Sequence, residues 1–205
     1  MSNIITISRE FGSGGRELAK RLAESLGYAY YDKEIIEEIA KQGNLDKEFI
    51  QNITENKNSN YNYTIGRSLN LYSVRQKQEM DILILQQKVI KELAKEGNCV
   101  IVGCGADLIL KEYKPLNIFV YASSASKIKR CREKSSENKD LNDKKLLKMI
   151  KNVDKSRARF YLLIGGDYWG YKENYTLCIN TSDVQIKNII PSVSSFARNY
   201  LGGND

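Results

Sequence analysis

Histidine is absent from the 205-residue sequence, and its absence removes a large share of enzyme chemistry at once. Serine and cysteine nucleophiles have no imidazole base, and zinc sites that use histidine lose a ligand. Cysteine offers little in compensation. Cys99, Cys104, Cys131 and Cys178 form no C-x-x-C pair. Cys99 and Cys178 lie in apolar runs, where the expected role is that of a small buried hydrophobe. Proline occurs only at Pro115 and Pro191, both placed at expected element starts. No apolar run approaches the roughly 20 residues that span a bilayer. The opening stretch MSNIITISRE lacks the basic and apolar regions of a secretory signal, so a cytoplasmic protein is expected. What remains for chemistry is carboxylates, cations and backbone amides. Phosphoryl transfer suits that inventory, because it rests on positioning and charge stabilisation.

The length fits one domain with a full core, here residues 1–205. The net charge of +7 is concentrated: Lys127 to Arg159 holds thirteen Lys and Arg against five Asp and Glu. Such a segment is suited to meet an anion, either phosphates or nucleic acid. No aromatic-interleaved RNA motif accompanies it, so nucleic acid is the weaker expectation.

Ile4 to Ile7 is a β-branched run, followed closely by Gly12-Ser13-Gly14-Gly15, and then by Leu18, Ala19, Leu22, Ala23 and Leu26 at helical spacing up to Gly27. The pattern predicts strand, glycine loop, helix. Further strands are expected at Tyr28–Tyr31, Cys99–Val102, Leu116–Ala122 and Tyr175–Asn180. Between and after them, helices are expected around Ile35–Ala40, from about Val74 to Glu96 with Gly97 as C-cap, over Lys127–Lys134 and Lys144–Leu163, and from Asp183 to Tyr200. Residues 43–73 read as helical fragments and a mobile loop. Alternating strands and helices predict an α/β protein, with a parallel five-stranded sheet covered by helices on both faces.

The stretch SREFGSGGRE, from Ser8 to Glu17, fits a phosphate-binding loop. Glycines let backbone N–H groups approach an anion, and the following helix N-terminus adds partial positive charge. A dinucleotide-binding turn is the rival reading: Gly12-x-Gly14 opens its fingerprint and Asp32 stands 20 residues after Gly12. Glu17 then occupies its third glycine position, and the basic segment has no role. A literal G-x-x-x-x-G-K-[ST] motif is missing as well.

The ordered set ITISREFGSGGRELAKRLAESLG, YYDKE, CVIVG with ADLIL, LNIFVYAS, VDKSRARFY and NYTLCINTS resembles the cytidylate kinase-like family. That family is a divergent branch of the nucleoside monophosphate kinases among the P-loop proteins. The likeness extends over nearly the whole chain and is weakest from Gly43 to Ser73. It implies a P-loop three-layer fold with a basic helical lid at about 123–172 and a variable acceptor side at about 43–97. It also implies ATP and Mg²⁺ as cofactors and a small nucleotide as partner substrate.

By that resemblance Gly12, Ser13, Gly14, Gly15, Arg16 and Glu17 form the donor-phosphate loop. Gly15 stands where a phosphate-binding lysine is expected, and Glu17 where a magnesium-binding Ser or Thr is expected. Arg16 and Arg9 are the nearest cations able to replace the lysine; Glu17 or Glu10 could meet the metal. Asp32, Asp154 and Arg157 correspond to acceptor-binding positions, with helix capping an open alternative for Asp32. A pairing three residues apart on one helix face is the open alternative for Asp154 and Arg157. Arg130, Arg157 and Arg159 are the expected lid cations, acting with Arg16 on the transferring group. Cys104 replaces an acceptor-gripping arginine, and Val102 an acidic residue. Asp107 reads as first-turn helix. Phe160, Tyr161, Tyr168, Trp169 and Tyr171 read as packing aromatics, with a flap the open alternative for Trp169 beside Gly165-Gly166. A kinase and a nucleotide-binding regulator without turnover both remain open on these residues.

Overall fold

β-Branched and apolar residues on successive positions leave no polar face, so such strands are stable only between two helical layers. The computed structural model describes residues 3–47, 50, 69–134 and 141–202, and its strands behave in that way. The elements run β1 (Ile4–Arg9), α1 (Gly15–Leu26), β2 (Ala29–Tyr31), α2 (Lys33–Gly43), α3 (Leu69–Lys95) and β3 (Cys99–Val102). They continue with a short α4 (Ala106–Ile109), β4 (Leu116–Tyr121), α5 (Ser124–Lys134), α6 (Asp143–Leu163), β5 (Leu177–Asn180) and α7 (Ile186–Gly202).

All pairings are parallel, in the order β2-β3-β1-β4-β5. The strand period of two sends alternate side chains to opposite layers. Ile5, Ile7, Val100 and Val102 pack with α1 and α7. Ile4, Cys99 and Ile101 pack with α2, α3 and α4 on the other face. A third, smaller cluster joins Cys131 of α5 to Leu146 and Ile150 of α6, and Phe11 of the glycine loop packs against it. The basic segment is thus attached to the loop through apolar contact.

Helix ends follow the expected signals. Gly27 caps α1 in the left-handed conformation at φ 71°, and Gly97 does the same after α3 at φ 79°. Asn142 caps α6 by accepting from the Lys145 N–H at 2.9 Å.

Three expectations need correction. Pro191 lies inside α7, not at an element start, so one helical N–H is missing there. Cys178 is only half-buried, because β5 is an edge strand with a single neighbour. Helix α3 begins at Leu69, earlier than Val74. The expected loop over 43–73 lies largely outside the described residues.

Leu22 is fully buried in the layer under α1, whereas Ile84 of α3 is largely exposed. In denaturant unfolding, Leu22→Ala should cost about 2–5 kcal/mol. Ile84→Ala should stay within about 0.5 kcal/mol of the parent.

Candidate active site

Strand β1 is the centre of the sheet, with β3 on one side and β4 on the other. The connection from β1 runs to the β2–β3 side, whereas that from β3 crosses to β4 on the other side. In open α/β sheets a ligand crevice forms outside the carboxyl ends of the strands at such a reversal. The loop from Glu10 to Gly14 sits there. Gly12 has φ 78°, and a Cβ on it would come within 2.9 Å of the Cys131 Sγ and 3.0 Å of the Lys127 carbonyl. Helix α5 therefore presses directly on the loop backbone. Glycines 12, 14 and 15, together with Arg16, line a cavity of about 240 Å³. The N-terminus of α1 opens onto it and brings the partial positive charge of a helix start.

A part-buried ionic network supports this loop from below. Asp154 of α6 accepts the Phe11 N–H at 2.7 Å and an Arg157 N–H at 3.3 Å. Lys127 of α5 lies 2.8 Å from Glu10 and 3.6 Å from Asp154. Arg157 also donates to the Arg9 carbonyl at 2.8 Å. Burial pushes the Asp154 carboxyl above its ordinary range, opposed by the Phe11 N–H, Arg157 and Lys127. On the far side, Thr181 donates to the Ser13 carbonyl at 2.6 Å. Arg130 reaches the carbonyls of Ser13, Thr181 and Val184.

A second cavity, of about 440 Å³, opens between the ends of β1, β2 and β3 and the side of α6. Phe11, Phe160, Tyr161 and Trp169 give it an aromatic wall, and Trp169 packs edge-on against Phe119 at 5.4 Å. Its charged end is Asp32, held by both nitrogens of Arg16 that face it and by Arg9 at 3.8 Å. Behind the aromatic wall, Tyr161 donates to the buried Asp107 at 2.8 Å. Tyr175 hydrogen-bonds Ser8, and burial together with Asp107 pushes its phenol up to about 12. Arg9, Phe11, Arg16 and Arg157 line both cavities.

Each expected site residue has a definite place. Gly12, Gly14, Gly15 and Arg16 form the phosphate cavity, whereas Ser13 is fully buried and its hydroxyl accepts the Gly15 N–H at 3.3 Å. Asp32 holds the N-cap position of α2 but makes no side-chain cap; its carboxylate faces the arginines. Arg157 lines both cavities, but Asp154 lies beneath the loop and outside the lining of either. Arg130 lines the phosphate cavity while its guanidinium engages backbone carbonyls. Arg159 is exposed and lines neither cavity. Asp107 is in the first turn of α4, as its pattern suggested.

Glu17 turns away from the phosphate cavity. It pairs with Arg21 at 3.1 Å and Lys134 at 3.3 Å, and it lines a third cleft beyond Arg130. Burial alone would raise its pKa, but hydrogen bonds from Arg21 and Lys134 hold it below its ordinary value. Glu10 is the carboxylate that lines the phosphate cavity. Mg²⁺ commonly takes one or two carboxylates and fills its shell with phosphate oxygens and waters. Glu10 could serve in that mode through Oε1, because its Oε2 already meets Lys127 at 2.8 Å and the Ala122 N–H at 3.2 Å; no group of three or more metal-ligating side chains occurs among the described residues. Lys127 and Thr181 carried no sequence signal as loop supports, because their partners lie 117 and 168 residues away.

A sequence model of the cytidylate kinase-like family matches residues 4–183. No curated protein sequence is significantly similar. A crystal structure of an uncharacterized protein from Eubacterium ventriosum is 26% identical with a TM-score of 0.68, covering 95% of this chain and 98% of that one. Shikimate kinase from Bacteroides thetaiotaomicron is 16% identical with a TM-score of 0.55, covering 96% and 98%. A gluconokinase from Sinorhizobium meliloti is 11% identical with a TM-score of 0.55, covering 98% and 95%. The last two likenesses establish the fold as that of the P-loop kinases. No described helix is long and apolar enough to cross a membrane.

Burial raises the Asp107 pKa above its ordinary 3.8, although Tyr161 and backbone N–H groups pull it down. The folded chain then keeps this proton to higher pH than the unfolded chain. The associated stability is full below the unfolded value and is lost as pH rises through the folded one. Asp107→Asn keeps an acceptor for Tyr161 and removes the titration. As pH rises above the ordinary value of 3.8, parent stability measured by denaturant should fall relative to the variant; parallel profiles would refute a raised Asp107.

Proposed function

We propose that this chain, which belongs to the cytidylate kinase-like family, transfers the γ-phosphoryl group of ATP to a small acceptor, with CMP or a related nucleotide as the first candidate. The observation that carries this reading is the wall common to the two cavities. Arg9, Phe11, Arg16 and Arg157 border both, so groups bound on either side would meet across three arginines. The glycine loop and the α1 N-terminus would hold the donor phosphates. The third cleft, of about 600 Å³, shares Arg130 and Lys134 with the phosphate cavity and would take the rest of the donor.

The acceptor would enter the aromatic cavity and place its nucleophilic oxygen beside Asp32. Arg16, half-exposed at 53% against 9% for Asp32, can turn from that carboxylate to a phosphate without disturbing the core. Arg157 is suited to the developing charge. Arg130 acts by fixing the loop, and Arg159 would join only if α6 moved over the site. Glu10 would hold Mg²⁺ in part, and the ion would neutralise donor phosphate charge. Such transfer needs little covalent chemistry from the protein, which agrees with a chain lacking histidine.

One observation favours a second reading, a nucleotide-binding regulator without turnover. Arg9 and Arg16 both lie against Asp32, and neither Cys104 nor Val102 supplies charge to the acceptor cavity. ADP release from ATP–Mg²⁺, measured across nucleoside monophosphates and small alcohols, separates the two. The phosphotransferase reading predicts release that depends on one acceptor class and on added Mg²⁺. It also predicts a fall in kcat/KM of about 100-fold in Arg157→Ala. The same low release across the whole panel, with nucleotide bound, would establish the regulator instead.

A further inference from the structure

We infer that Arg9, the last residue of β1, is the fixed phosphate-binding cation of this site, and that position 15 is glycine because the Arg9 stem passes there. The guanidinium lies over Gly103, whose positive φ of 72° already favours glycine. This rests on the proposed binding of donor phosphates at the glycine loop.

Gly15 begins α1 and has no positive φ. Its backbone would accept any residue, so the requirement for glycine is spatial. A Cβ at position 15 would lie 2.5 Å from the Arg9 Cβ and 3.1 Å from its Cγ. Contacts under 3 Å with another residue's stem cannot be absorbed without moving that stem. The aliphatic part of Arg9 therefore fills the space that a lysine at position 15 would need. At the other end, a Cβ on Gly103 would lie 1.8 Å from the Arg9 Nη1 and 2.8 Å from its Cζ. The guanidinium thus lies directly over the backbone at the end of β3.

Two further contacts hold it there. Its Nη2 is 3.8 Å from Asp32, and the Arg9 carbonyl accepts from Arg157 at 2.8 Å. The side chain is 14% exposed, against 53% for Arg16, and it borders both cavities. The two arginines consequently differ in kind: Arg16 is half-exposed and surface-facing, whereas Arg9 is enclosed and placed before any ligand arrives. Cations placed in advance favour phosphate binding because no ordering remains to be done on association. A planar guanidinium also offers several donors in fixed directions, so it can touch Asp32 and an anion together. The positive charge expected of the helix's first turn is supplied here by the end of the preceding strand.

Binding of Mg²⁺–AMP-PNP and of inorganic tripolyphosphate, measured by calorimetry with thermal unfolding alongside, tests the inference. Arg9→Met keeps the stem and removes the charge, and it should weaken both probes by about tenfold or more. Arg9→Lys should recover part of that loss. Gly15→Lys alone should bind poorly, because the new stem meets Arg9. The double variant Arg9→Gly with Gly15→Lys, which removes the Arg9 Cβ as well as its stem, should bind more tightly than either Gly15→Lys or Arg9→Gly. If the parent binds both probes and Arg9→Met binds them equally well, Arg9 is only a strut and the inference fails while the phosphate-loop reading stands. If the parent binds neither probe, both fall. Should Arg9→Met not fold, the double variant decides: affinity no better than Gly15→Lys overturns the inference.

Discussion

The site depends on one part-buried hydrogen bond, from the Phe11 N–H to the Asp154 carboxylate. A loop of glycines has no preference for one shape and loses more entropy on ordering than other sequences. It becomes a rigid binding surface only if something outside it fixes the backbone. Asp154 does so from α6, and the charge it brings is balanced by Lys127 and Arg157. Burying a carboxylate in this way is tolerable only with such partners, and removing one leaves the others uncompensated. The loop, α5 and α6 are therefore a single electrostatic unit, and Phe11 reinforces it by packing into the small apolar cluster between those helices.

That unit changes the meaning of the basic segment. Its excess of positive charge suggested a surface that meets anions, and part of it serves a different end. Lys127 is buried between two carboxylates, Arg130 satisfies carbonyls of the loop and of the β5–α7 connection, and Arg132 reaches the Leu141 carbonyl and Asp143. These cations hold parts of the chain together. The arginines at the wall common to the cavities come mostly from elsewhere, from β1 and α1. Asp32 in turn keeps Arg9 and Arg16 from repelling one another at close range. An entering phosphate would compete with that carboxylate for the exposed one.

How much of this was legible in the sequence follows the range of each interaction. The strand, glycine loop and helix at the N-terminus were readable because periods of 2 and 3.6 and a capping glycine act within a few residues. The parallel sheet followed from alternation of strands and helices, and the burial of Ile4 and Ile5 on opposite faces agrees with it. Pro191 was misplaced because a proline reads as a boundary, whereas tertiary packing of α7 overrides that local preference. Asp154 was identified as a site residue from the resemblance, yet its partner at position 11 is 143 residues away. No local pattern encodes that distance. The same holds for Ser13, whose sequence context suggests a ligand contact but whose hydroxyl closes the turn on Gly15.

Two of the four departures from the resemblance, at positions 15 and 104, look like simple losses of positive charge when read along the chain. In three dimensions each is tied to a neighbour. Position 15 lacks a side chain where the Arg9 stem passes. Position 104 sits between Gly103 and Gly105 in a turn where all three residues have positive φ. The Cys104 carbonyl there accepts from the buried Gln86 at 3.0 Å, and a Cβ on Gly105 would collide with Ile164. Such a turn is costly for any residue but glycine, and it is fixed by packing from α3 and from the end of α6. A missing motif residue therefore does not by itself measure a missing function. The relevant question is which atoms occupy its volume, and at position 15 those atoms belong to another cation.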